Sequence, residues 1–419
     1  MYSLTNVLRP YAWGSTTAIA QLLGREPSGS PEAELWLGAH PDSPSQAVLP
    51  DGTAMALDAL IQADPEAALG SVAQSAFGDK LPFLLKILAA EQPLSLQVHP
   101  TQEQARAGFA AEEAAGVPRT AAERNYKDDN HKPEMILALT HFAALCGFRP
   151  IAGTLSLLED LASRFEEAGE PEPSVLAEVR HLLAGEDERA ALRAAFELLI
   201  SGGTAVEAAT AATAALLRSG APHSADSQYA AELSTVVSLQ ELYPTDPGVL
   251  ISLLLNRVSL SPGEAIYLPA GNIHAYLRGM GVEVMASSDN VLRGGLTAKY
   301  VDVPELMKTV DFAAQPVPLI AEQTTELGQQ LWTPPFREFA LQRAELRPDD
   351  GPVPLAQNGP LLLIAVSGSV LLDSPRGDLR LERGGSAFIP AYESPILLHP
   401  VSGAAENAVV FAVTIPPQP

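Results

Sequence analysis

The sequence predicts a mainly β protein with a helical insert: two jelly-roll β-barrels plus an α-helical domain. Three observations lead there. Residues 1–150, and the chain from about residue 247 onward, are cut by Pro and Gly into short segments rich in Val, Ile, Leu and Phe, the texture of strands and tight turns. Residues 152–240 are instead rich in Ala, Leu and Glu, with apolar residues recurring at three and four, as in Leu155, Leu158 and Leu161, then Leu192, Phe196 and Leu199. A short repeat links the two β regions: Leu260-x-x-Gly263 followed by Pro269-Ala270 recurs 121 residues later as Leu381-x-x-Gly384 followed by Pro390-Ala391. A turn glycine followed by a strand ending in Pro-Ala suits small jelly-roll barrels.

In chain order, residues 52–80 and 101–115 read as helical, the second after Pro100. Between them Pro93-Leu94-Ser95-Leu96-Gln97-Val98-His99-Pro100 alternates apolar and polar residues and reads as a strand. The helical unit breaks at Gly169–Pro173, Gly185, Ser201–Gly203 and Ser219–Pro222. Pro-rich stretches near 313–318 and 348–354 are candidate linkers. The first copy of the repeat continues to His274, whereas the second has Pro395 at that place, so only one barrel can carry a metal there. The expected organisation is a metal-bearing barrel from 1–150 and 246–320, a helical domain at 151–245, and a second barrel without ligands at 321–419.

Composition limits the function. There are 26 Lys and Arg against 50 Asp and Glu, a net charge of −24. That argues against nucleic-acid binding and against docking on anionic lipid. No apolar run is long enough for a membrane span, and the N-terminus lacks the pattern of a signal peptide, so a cytoplasmic protein is expected. Nothing demands an oligomer, and a monomer is expected. The single cysteine, Cys146, excludes an internal disulfide and a multi-cysteine metal cage, and it reads as a small core residue. Any metal site must use His, carboxylates and amides.

The strand at 93–100 points Leu94, Leu96 and Val98 one way and Ser95, Gln97 and His99 the other. Its polar face fits either solvent or a polar cavity. Asn130-His131-Lys132-Pro133-Glu134 places a carboxylate at the head of an apolar run, and Pro269-Ala270-Gly271-Asn272-Ile273-His274-Ala275-Tyr276 places a histidine at a turn or a strand entry. Gln97, His99, Glu134 and His274 form a candidate four-ligand set for a divalent ion, in which the two imidazoles suit Zn²⁺ and the carboxylate with an amide oxygen is borderline. The set is not local: Glu134 lies 35 residues after His99, and His274 lies 140 after Glu134. Ser287–Lys299 holds a Gly-Gly with Arg293 and Lys299 six apart, which fits either a cationic ligand loop or an ordinary solvated loop. His181 and His223 read as surface residues of the helical unit, and His141 and His399 as structural.

Seven segments, in order, resemble the type I phosphomannose isomerase family, the metal-dependent mannose-6-phosphate isomerases of the cupin superfamily. They are Tyr11-Ala12-Trp13-Gly14-Ser15, Glu34-Leu35-Trp36-Leu37-Gly38-Ala39-His40-Pro41, Leu81–Lys86, Ser95–Pro100, His131–Glu134, Ala270–Tyr276 and Asp289–Thr297. Ala298 departs from the family, which usually has proline before the lysine. The resemblance implies a cupin fold and one zinc ion on Gln97, His99, Glu134 and His274. It also implies a small phosphorylated sugar as substrate, with Ser95 on its phosphate and Arg293 as catalytic arginine. Lys86, Lys132, Tyr276, Asp289 and Lys299 are expected to line the pocket. The implied reaction is aldose–ketose isomerisation through an enediol. His131, Lys132 and Glu134 are candidates for the proton-transferring base, and His40 for ring opening. A non-catalytic sugar-phosphate-binding cupin is the competing reading. A cupin oxygenase fits the glutamine and the cationic loop poorly.

Overall fold

One strand of 13 residues, His274–Ala286, organises the first barrel. Its second half lies between Phe83–Ala90 and Glu134–Ala138, both antiparallel to it. Its first half pairs with Phe142–Phe148 and touches Gln97–Val98. The change of partner falls at Gly279, whose φ is +125°. A Cβ there would sit 2.6 Å from the His141 carbonyl, so only glycine allows the bend. The computed structural model describes residues 1–219, 227–401 and 406–417.

The strands belong to an 11-stranded sheet that forms the first barrel, and to sheets of 9 and 4 strands that form the second. Both copies of the repeat are turn-plus-strand units. Gly263 and Gly384 have φ of +92° and +84°, and the strands Ala265–Leu268 and Ser386–Ile389 follow them. The N-terminal strand Tyr2–Thr5 pairs with Ser386–Ile389 on one side and Gln46–Val48 on the other. The first 60 residues are therefore shared between the sheets, and hydrogen bonds cross the sequence division expected at residue 320. A common core reinforces this, in which Phe83, Leu85 and Ile87 pack with Trp332, Phe339, Leu362 and Phe411.

The helical unit consists of Ile151–Glu167, Ser174–Leu183, Glu188–Ile200, Thr204–Arg218 and Ala230–Leu242. The breaks expected from Gly and Pro fall between these helices. Each of the first three buries one stripe, for example Leu157, Leu158, Leu161 and Phe165. That stripe shares its core with Leu96 and Val98 of the barrel, both 0% exposed. At about 2 kcal/mol per fully buried aliphatic side chain, this contact docks the unit firmly. Leu96 and Val98 therefore meet the helices, whereas Leu94 joins a separate core with Leu88 and Phe142, and the expected strand over 93–100 is regular only at Gln97–Val98. Among the described residues no single helix is long and apolar enough to cross a membrane. Glu188–Ile200 and Thr204–Arg218 have that composition only as a pair, and they meet at 92°.

The segment 52–80 forms three short helices, Leu57–Ala63, Pro65–Leu69 and Ser71–Phe77. Gln102–Ala114 is helical, opened by a capping box between Thr101 and Gln104. Cys146 is buried, and burial pushes its thiol up to about 12, in keeping with a core residue. His181 is exposed as expected, and His399 meets Asp373 at 3.1 Å. His141 is exposed rather than structural, because it occupies the turn between two strands of the barrel. His223 lies outside the described residues.

Candidate metal centre and substrate cavity

The long strand gathers the site through its register. His274 lies opposite both Gln97 and Cys146, Glu283 opposite both Lys86 and Ile136, and Met285 opposite Glu134. Residues far apart in sequence thus become neighbours in space.

His99, Glu134 and His274 are all buried, and their ligand atoms lie within 4.8 Å of one another. Nε2 of His99 is 3.4 Å from Glu134 Oε1, and Nε2 of His274 is 3.4 Å from Glu134 Oε2. The other ring nitrogens are spoken for. His99 Nδ1 donates to the Asn290 carbonyl at 2.8 Å, and His274 Nδ1 to the Asn272 carbonyl at 2.9 Å. In these tautomers two lone pairs face a carboxylate. Burial, the largest influence, pushes His99 down to about 4, so a proton does not bridge the gap at neutral pH. His99 Nε2 is buried without a hydrogen-bond partner. A divalent cation satisfies all three groups, and the carbonyls behind the rings hold them in place.

Beside the cluster lies a cavity of about 530 Å³. Ser95, Gln97, Lys132, Asp289, Arg293 and Lys299 line it, and Lys86 lines it with Glu34 and Trp36. Gln97 lies between the cavity and the metal cluster, in register with both His274 and Arg293. Lys132 Nζ is 3.1 Å from Glu134 Oε1. Burial would raise the Glu134 carboxyl, but Lys132 and the two imidazoles hold it well below the usual range.

Charges in the cavity are divided in two. Lys86 is neutralised: Glu283 lies 3.0 Å away and Glu34 3.7 Å away. Although burial opposes its charge, these carboxylates keep Lys86 protonated, so it acts as a fixed cation and not a base. At the other end Arg293 meets no carboxylate among the described residues. Burial lowers Lys299, and repulsion from Arg293 and Lys127 lowers it further. Three cations with little compensation make an anion site.

Three expected site residues lie elsewhere. His131 is turned into a separate cavity, where its Nε2 meets Glu338 Oε1 at 2.7 Å. Its neighbour Lys132 goes instead to Glu134. Tyr276 does not line the cavity. It packs edge-on against Phe142 with centroids 5.2 Å apart and beside the His274 ring at 6.2 Å. His40 sits one layer back, with Nε2 3.3 Å from Asp289 Oδ2 and its ring against Trp36.

Sequence reasoning missed Lys127, Glu34, Glu283, Trp13 and Asn290. A signal existed for the two glutamates, since each is a lone carboxylate in an otherwise apolar strand. Asn290 is 0% exposed. It accepts from the Lys127 N–H at 2.7 Å and donates to the carbonyls of Asp128 and Asn130 at 2.8 Å each, tying two site loops together. Nothing in the sequence distinguishes it from a surface asparagine.

Two barrels, a helical insert, a buried His/Glu/His cluster and an adjoining cationic cavity define a metal-dependent cupin-type protein that binds a small anion. Residues 1–151 match the family described as phosphomannose isomerase type I, catalytic domain. Mannose-6-phosphate isomerase of Escherichia coli K12 is 42% identical, the match covering 94% of this chain and 96% of that protein. The Schizosaccharomyces pombe enzyme of that name is 31% identical, with 98% of each covered. A solved zinc-bound mannose 6-phosphate isomerase superposes with a TM-score of 0.85 at 38% identity, covering 99% of both chains. A solved variant of phosphomannose isomerase from Salmonella typhimurium gives 0.86 at 38%, with the same coverage. The chain belongs to the mannose-6-phosphate isomerase family.

Proposed function

We propose that the protein is a zinc enzyme that interconverts mannose 6-phosphate and fructose 6-phosphate by proton transfer through an enediol. The observation that carries this is the adjacency of a metal-fitting cluster and a mainly cationic wall around one sugar-sized cavity. Family membership favours an enzyme over a non-catalytic sugar-phosphate binder.

His99, Glu134 and His274 would hold the zinc, with Gln97 adding an amide oxygen. Zinc, when bound, polarises the sugar carbonyl and stabilises charge that develops on its oxygens. Arg293 adds a permanent positive charge beside Gln97. Lys299, Lys127 and Ser95 receive the phosphate. Lys132, acting as the free amine, takes the proton from C2 and returns it to C1, since it lines the cavity while His131 is held by Glu338. Asp289 faces the cavity and is braced by His40. Burial would raise its carboxyl, but His40 and the nearby lysines bring it down to about 2, so at neutral pH it is a stable anion and a weak base. It serves as a hydrogen-bond acceptor for the sugar hydroxyls in the cavity. Tyr276 supports His274 from behind and takes no part in proton transfer.

We also propose a cytoplasmic monomer without nucleic-acid or membrane partners, organised as one catalytic barrel, a helical domain and a second barrel without ligands. The test is a coupled assay of fructose 6-phosphate formed from mannose 6-phosphate, run with and without chelator. Turnover that chelator abolishes and zinc restores is expected. Zinc-loaded protein with no turnover would refute the isomerase.

A further inference from the structure

The exit turn of the helical unit meets the cationic loop of the cavity. Asp246 lies in that turn, after the helix Ala230–Leu242 and just before Gly248–Ile251. Its carboxylate gathers three backbone N–H groups. Oδ1 accepts from Gly248 at 2.7 Å and Leu296 at 2.8 Å, and Oδ2 accepts from Thr297 at 3.1 Å. Asp246 itself does not line the cavity.

The loop it grips carries Arg293 at one end and Lys299 at the other. The backbone between them is one that such a sequence avoids. Leu296 has φ of +54°, the one positive value at a non-glycine among the described residues. Gly295 has φ of +119°, and a Cβ there would lie 2.9 Å from Asp246 Oδ1 and 3.0 Å from the Gly248 Cα. Leu296 is 1% exposed, with its side chain in the core shared with the helices. The strain is therefore held from both sides, by burial of the side chain and by the carboxylate on the backbone. The same turn presents Tyr243 to the cavity, and its hydroxyl donates to the Pro93 carbonyl at 3.3 Å, next to Ser95.

Arg293 and Lys299 repel each other, so a free loop carrying both would open. We infer that Asp246 is a positioning residue: it ties residues 294–297 so that Lys299 is held toward the phosphate of the substrate while Arg293 stays beside Gln97. This rests on the reading given under Proposed function, where that end of the cavity takes the phosphate. It also makes the connection between the helical unit and the barrel part of the substrate site, because the tie comes from the turn that joins them.

The test uses the full-length, zinc-loaded protein and Asp246→Asn, which keeps the shape but cannot accept all three N–H groups. Charge-assisted hydrogen bonds of this kind are strong, so KM for mannose 6-phosphate and the Kd of inorganic phosphate by calorimetry are expected to rise together at least about tenfold. Zinc content is expected to stay unchanged, and kcat to fall less than KM rises. Adding Asp246→Asn to Lys299→Ala is expected to cost much less than the product of the two single effects. KM and Kd within twofold of the parent, or fully multiplicative effects, would overturn the inference. Should Asp246→Asn fail to fold, amide hydrogen exchange on the unmodified protein decides. Leu296 and Thr297 are expected to be protected, and more so with added phosphate. Rapid exchange unaffected by phosphate would overturn it. An unmodified protein that binds phosphate through this loop but does not turn over mannose 6-phosphate would refute the isomerase and leave the role of Asp246 intact.

Discussion

Gln97 and Arg293 are direct partners in the two-residue ladder between Gln97–Val98 and Leu292–Arg293, and both side chains line the substrate cavity. Antiparallel partners point to the same face. The residue beside the metal cluster and the uncompensated cation therefore share one register position. Polarisation by the metal and by the guanidinium is delivered to one small region.

Arg293→Ala tests this directly. Removing one preorganised charge from the developing oxyanion is expected to lower kcat about 10²–10³-fold. Zinc content, measured by elemental analysis, should remain at one per chain, because Arg293 touches none of the three cluster residues. Near-normal turnover would show that the arginine has no electrostatic role.

His274→Gln is expected to lose metal and activity together. The metal also holds the folded state, so chelator should lower the melting temperature of the parent, by the equivalent of about 3 kcal/mol at a hundredfold excess of zinc over its Kd. The melting temperature of the variant should not respond to chelator. An equal response in both proteins would place the metal elsewhere.

Asn290→Ala breaks a buried network and loosens the carbonyl that orients His99. A loss of about 2–4 kcal/mol in stability is expected from the unsatisfied backbone groups alone. Zinc affinity, read by competition with a chelator, should fall about 10–100-fold as His99 loses its brace. Unchanged affinity with reduced stability would mean that the brace is structural only.

Asp289 sets a pH test. Burial opposes its charge, but the His40 hydrogen bond and the lysines bring its folded value to about 2, below the unfolded value. A depressed carboxyl stabilises the fold above its unfolded pKa, near pH 4, and that contribution disappears as pH falls through about 2. Unfolding measured in urea should show the parent losing on the order of 1 kcal/mol more than Asp289→Asn across that window, after allowance for solvent screening. Parallel curves would remove the His40–Asp289 interaction from the account.

Much of this protein was legible as sequence because much of it is periodic or composed of punctuation. The helical unit announced itself through Leu155, Leu158 and Leu161 at helical spacing, and its breaks through Gly and Pro. Alternation through Leu94, Ser95, Leu96 and Gln97 marked a segment with two different faces. His99, Glu134 and His274 could be named as residue types able to bind a metal, but it was the family resemblance that joined them into one ligand set. What could not be read was direction. His131 and Lys132 are adjacent in sequence, yet one meets Glu338 and the other meets Glu134. Tyr276 lies on the face of His274, as the spacing predicts, yet it packs on Phe142 and does not reach the cavity.

The sequence by itself determined the kinds of element, the residues able to bind a metal and the family to which they belong, since those depend on local pattern and residue chemistry. Only the tertiary structure decided which of those residues meet. The register of His274–Ala286 brings Lys86, Glu134 and Gln97 alongside one strand, although they are scattered along the chain. The pairing of Tyr2–Thr5 with Ser386–Ile389 joins the two ends of the chain. The grip of Asp246 on Leu296 and Thr297 is of the same kind. Each is a contact between distant segments, set by the packing of the whole core rather than by any window of sequence, and together such contacts decide where the charges of the site point.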